Sequence, residues 1–187
     1  MTPLSTDART TMTTDRPRIL LFTGDGKGKT TAALGLALRA AGHGLRVCVI
    51  QFIKNDSTVG EIAAAAHVPG VDVVQAGRGF LVARGDDCFA DHESAAQACL
   101  VRARQIVASG RYAVVILDEV CVAVSCGLVE ERHVLECVRG APADVCIVLT
   151  GRDATPGLIE AADTATEMRC LKHAFYAGLP AQVGVER

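Results

Sequence analysis

The sequence predicts a three-layer α/β domain, a mostly parallel central sheet with helices on both faces, and three observations carry that prediction. Apolar stretches of strand length alternate with stretches of helical spacing along nearly the whole chain, the pattern of repeated β-α-β units. The strand-length stretches, Val114-Val115-Ile116-Leu117 above all, are continuously apolar, as strands covered on both faces must be. The first of them enters its helix through a glycine-rich turn, and right-handed crossovers put such turns at the carboxyl ends of the strands. A length of 187 residues suits one core that buries about 70% of the unfolded surface.

In order, residues 18–23 form the first strand, and Ala and Leu at helical spacing make 30–42 a helix that Gly42 and Gly44 stop. Residues 45–53 are a continuous apolar run with β-branched members, hence a buried strand. A short Ala-rich helix at 61–67 leads to a strand at 71–75. The loop 76–87 carries Gly77, Gly79 and Gly85 around Phe80, Leu81 and Val82. Asp91 caps a long helix that Gly110 ends after Ser109. The strongest strand, 112–117, is closed by Asp118 and Glu119, and two helical segments, 120–126 and 129–139, precede another buried strand at 145–150. Thr155-Pro156 is a cap and first-turn pair for a helix to residue 162. A final strand over 165–171 leaves a polar C-terminal tail. Residues 1–17, rich in Thr and broken by Asp7, Asp15 and two prolines, read as a flexible arm, which leaves 18–187 as a single domain.

The glycine-rich turn carries the chemistry. Gly24, Gly26 and Gly28 lack a Cβ and take positive φ at little cost, so successive N–H groups can face one anion-sized concavity. Lys29 adds a mobile positive charge. Thr30, in the first turn of the helix, offers a hydroxyl to Mg²⁺ where the helix dipole favours an anion. In this strand–turn–helix context the turn reads as a phosphate loop and the fold as a P-loop (RecA-like) one. Gly24 and Gly28 enclose three residues, however, where G-x-x-x-x-G-K-S/T requires four, so the loop is a variant. The competing reading is an ordinary strand-to-helix turn with surface lysines.

Val114-Val115-Ile116-Leu117-Asp118-Glu119 delivers two acids to the same rim, from which a carboxylate reaches a nucleotide-bound metal. Either acid can be the direct ligand, with the other acting through water or capping the next helix. Arg152, in Thr150-Gly151-Arg152-Asp153, leaves the following strand on that rim with a donor fork suited to phosphate. The alternatives are structural, a helix cap and a solvated loop arginine.

Charge narrows the partners. Nineteen Lys and Arg stand against 21 Asp and Glu, a net charge of −2, which gives no basic field for nucleic acid and no polybasic membrane patch. No apolar run reaches the ~18 residues that cross a bilayer. Residues 1–17 lack the apolar core of a signal peptide, so a cytoplasmic protein acting on small molecules is expected. The eight cysteines form no C-x-x-C pair and read as reduced core thiols, Cys48 and Cys146 on strands, Cys99 and Cys137 on helices.

Taken together, these residues resemble the ATP:cob(I)alamin (corrinoid) adenosyltransferases of the CobA/BtuR/CobO type. The likeness runs through Phe22-Thr23-Gly24-Asp25-Gly26-Lys27-Gly28-Lys29-Thr30-Thr31-Ala32-Ala33, Ala40-Ala41-Gly42-His43-Gly44, Val49-Ile50-Gln51-Phe52-Ile53-Lys54, Leu117-Asp118-Glu119, Thr150-Gly151-Arg152, Ala162-Asp163-Thr164 and Lys172-His173-Ala174-Phe175. The short loop spacing looks like this family's own variant, associated with ATP held in the reverse of the usual orientation. The resemblance implies transfer of the 5′-deoxyadenosyl group of ATP to Co(I) of cobalamin or another corrinoid, with release of triphosphate. Cob(I)alamin carries no proton to remove, so the attack needs neither a general base nor a covalent enzyme intermediate.

The same resemblance implies catalytic roles for Lys29, Thr30 and Glu119 and a metal site at Thr30, Asp118 and Glu119. It places the nucleotide on Gly24, Asp25, Gly26, Lys27, Gly28, Lys29, Thr30, Thr31, Arg39 and Arg152. His173 matches the family pattern, with packing as its alternative role. Phe80 matches a residue that closes the lower face of the corrinoid, but the Trp expected two residues later is Val82. Further implications are a homodimer and an electron donor such as a flavoprotein reductase. Two other functions compete: a P-loop kinase or ATPase with another acceptor, and a non-catalytic ATP-dependent corrinoid carrier or switch.

Overall fold

In the computed structural model, which describes residues 15–79 and 85–186, six strands form one sheet. They are β1 (Arg18–Thr23), β2 (Val47–Gln51), β3 (Val71–Gln75), β4 (Val114–Asp118), β5 (Cys146–Thr150) and β6 (Thr164–Glu167). Their order is β3-β2-β4-β5-β1-β6 and every pairing is parallel. β5 therefore separates the strand that feeds the glycine-rich loop from the strand that carries the acids, the RecA-like arrangement. The helices between them are α1 (Lys29–Gly42), α2 (Gly60–Ala65), α3 (Phe89–Ala108), α4 (Val120–Ser125), α5 (Glu131–Arg139) and α6 (Pro156–Ala161).

The continuously apolar strands are explained by two cores. Val47 and Val49, Ile116 and Val148 face α1, whose Ala33, Ala37 and Ala40 form a small-residue seam against the sheet. Their neighbours Cys48, Ile50, Val115, Leu117, Ile147 and Leu149 face the opposite way, toward α3, α4, α5 and α6. Alternate residues thus enter different cores, and no strand residue in the middle of the sheet can be polar without a bonded partner.

Several element ends differ from the sequence reading. Asp91 does not cap α3. That helix starts at Phe89, and Asp91 lies in its first turn, where its charge favours the dipole without a cap bond. The strand expected over 165–171 stops at Glu167, because β6 is a fully exposed edge and the chain beyond it turns to the glycine-rich loop: the Met168 N–H donates to the Thr23 carbonyl at 2.8 Å. The polar tail instead contains a 3₁₀ turn, Ala174–Ala177, and several exposed apolar side chains, Leu171, Phe175, Tyr176 and Val183 among them. Cys48, Cys99, Cys121 and Cys137 are core thiols, and burial pushes Cys99 and Cys121 up to about 12. Cys88 is exposed, contrary to the expectation for all eight. Phe80 and Val82 lie outside the described residues, as does most of the arm at 1–17.

Candidate functional site

The carboxyl ends of β1, β2, β4 and β5 open into a cavity of about 1220 Å³. One wall is the glycine-rich loop. Gly24 and Gly28 adopt φ of 95° and 117°, and the Gly26 N–H donates to the Met168 carbonyl at 2.7 Å. A Cβ on Gly26 would lie 2.7 Å from that carbonyl oxygen, and one on Gly24 would collide with it too. Two of the three glycines are thus required by the close approach of the chain leaving β6. Asp25 accepts from the Cys170 N–H at 3.0 Å, so its carboxylate ties the loop to the same segment and does not line the cavity.

Lys29 begins α1 and folds back over the loop, its Nζ donating to the carbonyls of Gly24 and Gly26 at 2.7 Å each. Burial lowers its pKa, opposed by the negative charge of Glu119. Next to it, the Thr30 hydroxyl donates to Asp118 Oδ1 at 2.8 Å. That bond spends the hydroxyl proton and leaves the oxygen lone pairs for another partner.

Asp118 is fully buried at the end of β4. Its Oδ1 also accepts from Thr150 Oγ1 at 2.8 Å, and its Oδ2 accepts from Gln51 Nε2 at 3.1 Å, with Lys54 Nζ 3.6 Å away. Glu119 follows with φ of 61°, a left-handed conformation that costs a non-glycine residue of order 1–3 kcal/mol. Its N–H donates to Thr150 Oγ1 at 2.9 Å, which secures the turn and sends the side chain to the cavity wall. Burial raises the Glu119 pKa, the adjacent Asp118 charge adds to the rise, and Lys29, Lys54 and Arg152 oppose it. Neither acid caps α4 with its side chain. Hard oxygen donors with spare lone pairs, beside an ionisable acid that a cation would relieve, fit Mg²⁺.

Of the residues singled out in the sequence, Gly26, Lys27, Gly28, Lys29, Thr30, Thr31, Glu119, Arg152 and His173 line the cavity. Gly24, Asp25 and Asp118 pack around it without facing it. The structure does not bring Arg39 there. It is exposed in the last turn of α1, ten residues and so about 15 Å of helix rise beyond Lys29. His173 accepts from the Phe175 N–H at 3.2 Å through Nδ1, capping the 3₁₀ turn while its ring borders the cavity.

The sequence reading assigned no role to Gln51, Lys54, Glu61 or Thr150. Lys54 Nζ donates to Glu61 Oε1 at 2.7 Å on the cavity wall. Burial alone would lower the Lys54 pKa, but Asp118 and Glu61 overcome it and hold it up. The signal was available: Gln51 to Lys54 and Thr150 stand at carboxyl ends of strands, the rim that holds ligands in parallel sheets. Lys27 was expected on the nucleotide, and here its Nζ donates to the Val185 carbonyl at 2.6 Å, so the C-terminal segment 184–186 forms part of the wall.

A family model described as ATP:corrinoid adenosyltransferase BtuR/CobO/CobP matches residues 15–187. The chain is similar to the corrinoid adenosyltransferase of Pseudomonas aeruginosa, 43% identical over 92% of this chain and 84% of that protein. It is also similar to the corrinoid adenosyltransferases of Escherichia coli K12, 36% identical over 96% and 91%, and Salmonella typhimurium, 34% identical over 92% and 86%. Among solved structures it resembles the flagellar accessory protein FlaH from Methanocaldococcus jannaschii, with a TM-score of 0.54 over 81% of this chain and 70% of that one. At 10% identity that likeness concerns the fold alone.

Proposed function

The chain belongs to the ATP:corrinoid adenosyltransferase family, and from that premise we propose that the cavity is where ATP and the corrinoid meet. The observation that carries this is its size and lining. A volume of about 1220 Å³ exceeds the roughly 300–1,000 Å³ of a single-ligand pocket, and the phosphate-binding groups occupy only one wall.

In the proposed reaction the two electrons of Co(I) form the Co–C bond to the 5′ carbon of ATP while the C5′–O bond breaks and its electron pair leaves with triphosphate. No proton moves. The protein's tasks are therefore in-line positioning and neutralisation of the leaving group. The loop N–H groups other than that of Gly26, with Lys29 and Lys27, hold the phosphates, and Arg152 adds a bidentate clamp. Gly24 and Asp25 shape the loop, and Thr31 and His173 border the bound substrates. Thr30 and Glu119 would hold Mg²⁺ directly, with Asp118 orienting Thr30. The metal, when bound, spreads the charge of the departing triphosphate.

Phe80 is proposed to pack on the lower face of the corrinoid, and an electron donor such as a flavoprotein reductase to supply Co(I). A homodimer and a cytoplasmic setting complete the proposal. No helix among the described residues is long and apolar enough to cross a membrane.

The test is an anaerobic assay with ATP, chemically reduced cobalamin and Mg²⁺, following the Co–C chromophore and the phosphate product. Adenosylcobalamin with stoichiometric triphosphate is expected. Orthophosphate or pyrophosphate without a Co–C bond would favour a kinase or ATPase, and ATP-dependent corrinoid binding without turnover would favour a carrier.

A further inference from the structure

We propose that Gln51 is a positioning residue that holds Asp118 so that Thr30 keeps its oxygen lone pairs toward the cavity. The inference rests on the reading of that cavity as a metal–ATP site. Gln51 is fully buried at the carboxyl end of β2, where the two preceding positions of the same facing, Val47 and Val49, are core valines. A Leu or Met would fill this place with no polar group to satisfy, whereas a buried amide is destabilising unless every bond is made.

The bonds are made, and they form a line across the sheet. Gln75 Nε2, on β3, donates to Gln51 Oε1 at 2.9 Å and to the Asp56 carbonyl at 3.0 Å. Gln51 Nε2 then donates to Asp118 Oδ2 on β4 at 3.1 Å. Because Gln75 supplies a donor to Oε1, the amide cannot flip without setting oxygen against a carboxylate and nitrogen against a donor. With Oδ2 held in this way, Oδ1 is left to the hydroxyls of Thr30 and Thr150. Two acceptors on one carboxylate are thereby sorted, amide on one side and hydroxyls on the other.

Without Gln51, Oδ2 retains, among the described residues, only Lys54 at 3.6 Å, and the carboxylate can turn about its last torsion and compete for the cation that Thr30 should meet. Gln51 does not line the cavity. Its effect travels through Asp118, as outer-shell partners of metal sites generally act.

The experiment uses the full chain with Gln51→Met, which keeps volume and removes the amide, and Gln75→Leu, which removes the upstream donor, together with its bond to the Asp56 carbonyl, from a half-buried site. Mn²⁺ affinity of the ATP complex is read by electron paramagnetic resonance, metal-free ATP affinity by calorimetry, and kcat and KM for corrinoid separately. Gln51→Met should weaken Mn²⁺ about tenfold, lower kcat and leave metal-free ATP binding and corrinoid KM unchanged, and Gln75→Leu should shift Mn²⁺ about threefold in the same direction.

Should Gln51→Met not fold, Gln75→Leu decides. Wild-type Mn²⁺ affinity in the folded variants overturns the proposal, as does an equal loss of metal-free ATP binding, which would mean general damage to the pocket. If the wild-type chain shows the Mn²⁺ dependence but adenosylates no corrinoid, the assigned reaction fails and the role of Gln51 stands. A wild-type chain that binds no Mn²⁺–ATP overturns both.

Discussion

Lys29 and Glu119 are the two charges whose surroundings the fold alters most directly for chemistry. Lys29 is buried against loop carbonyls and next to where phosphate is proposed to sit, so its charge acts with little solvent screening. Lys29→Ala should lower adenosylation by at least ~100-fold, the scale of removing one preorganised charge-stabilising group, and near-normal turnover would detach this loop from ATP. Glu119 carries a cost that its proposed role as a metal ligand accounts for. Burial and Asp118 raise its folded pKa, so the unfolded chain ionises first as pH rises and the folded state is penalised from that point upward. Glu119→Gln should therefore raise the urea midpoint at pH ~7 and lose that advantage at pH ~3.5, while metal-dependent activity falls at neutral pH. A variant no more stable than the parent at neutral pH would show that the acid is not strained by its burial.

At the scale of elements, two glycines show how a residue's surroundings decide the sign of the same substitution. Gly35, exposed within α1, has no atom beyond its own stretch of helix within 4 Å of the place a methyl group would take, and Gly35→Ala should stabilise the chain by about 0.5–1 kcal/mol through helix propensity alone. Gly26 is pressed against the Met168 carbonyl. Gly26→Ala should cost about 1–3 kcal/mol in urea unfolding and weaken ATP binding in calorimetry, since the loop must leave the chain beyond β6 to make room. Equal behaviour of the two variants would mean that the loop–β6 contact does not constrain the fold. The short spacing of the loop, legible as an anomaly in the sequence, acquires a physical setting here: Gly24 and Gly26 serve backbone-to-backbone packing against Met168.

For the molecule as a whole, residues distant in sequence complete the site. Lys27 is tied to Val185 and Asp25 to Cys170. Residues 180–186 are exposed, so deleting 180–187 should shift Tm by no more than ~2 °C. It should also tighten ATP binding, because Lys27 is released from the Val185 carbonyl. Weaker ATP binding by the shortened chain, measured by calorimetry, would show instead that the tail contributes contacts of its own.

Local pattern in the chain suffices for the parallel sheet with its two-sided cover, the glycine-rich loop leading to Lys29-Thr30 and the acids at the end of β4. Each is written in neighbouring residues: hydrophobic period, glycine placement, a strand ending in carboxylates. Which acid is locked and which faces the cavity, that Arg39 lies a helix length away, that Gln51 and Thr150 bond Asp118, and that Lys54 pairs with Glu61 emerge only from the folded arrangement. Those facts depend on strand order and register, which place Gln51 opposite Asp118 across the β2–β4 pairing and bring the chain beyond β6 onto the loop. Local propensity is nearly silent about such pairings, because their free energy comes from contacts between segments that meet only once the sheet has formed.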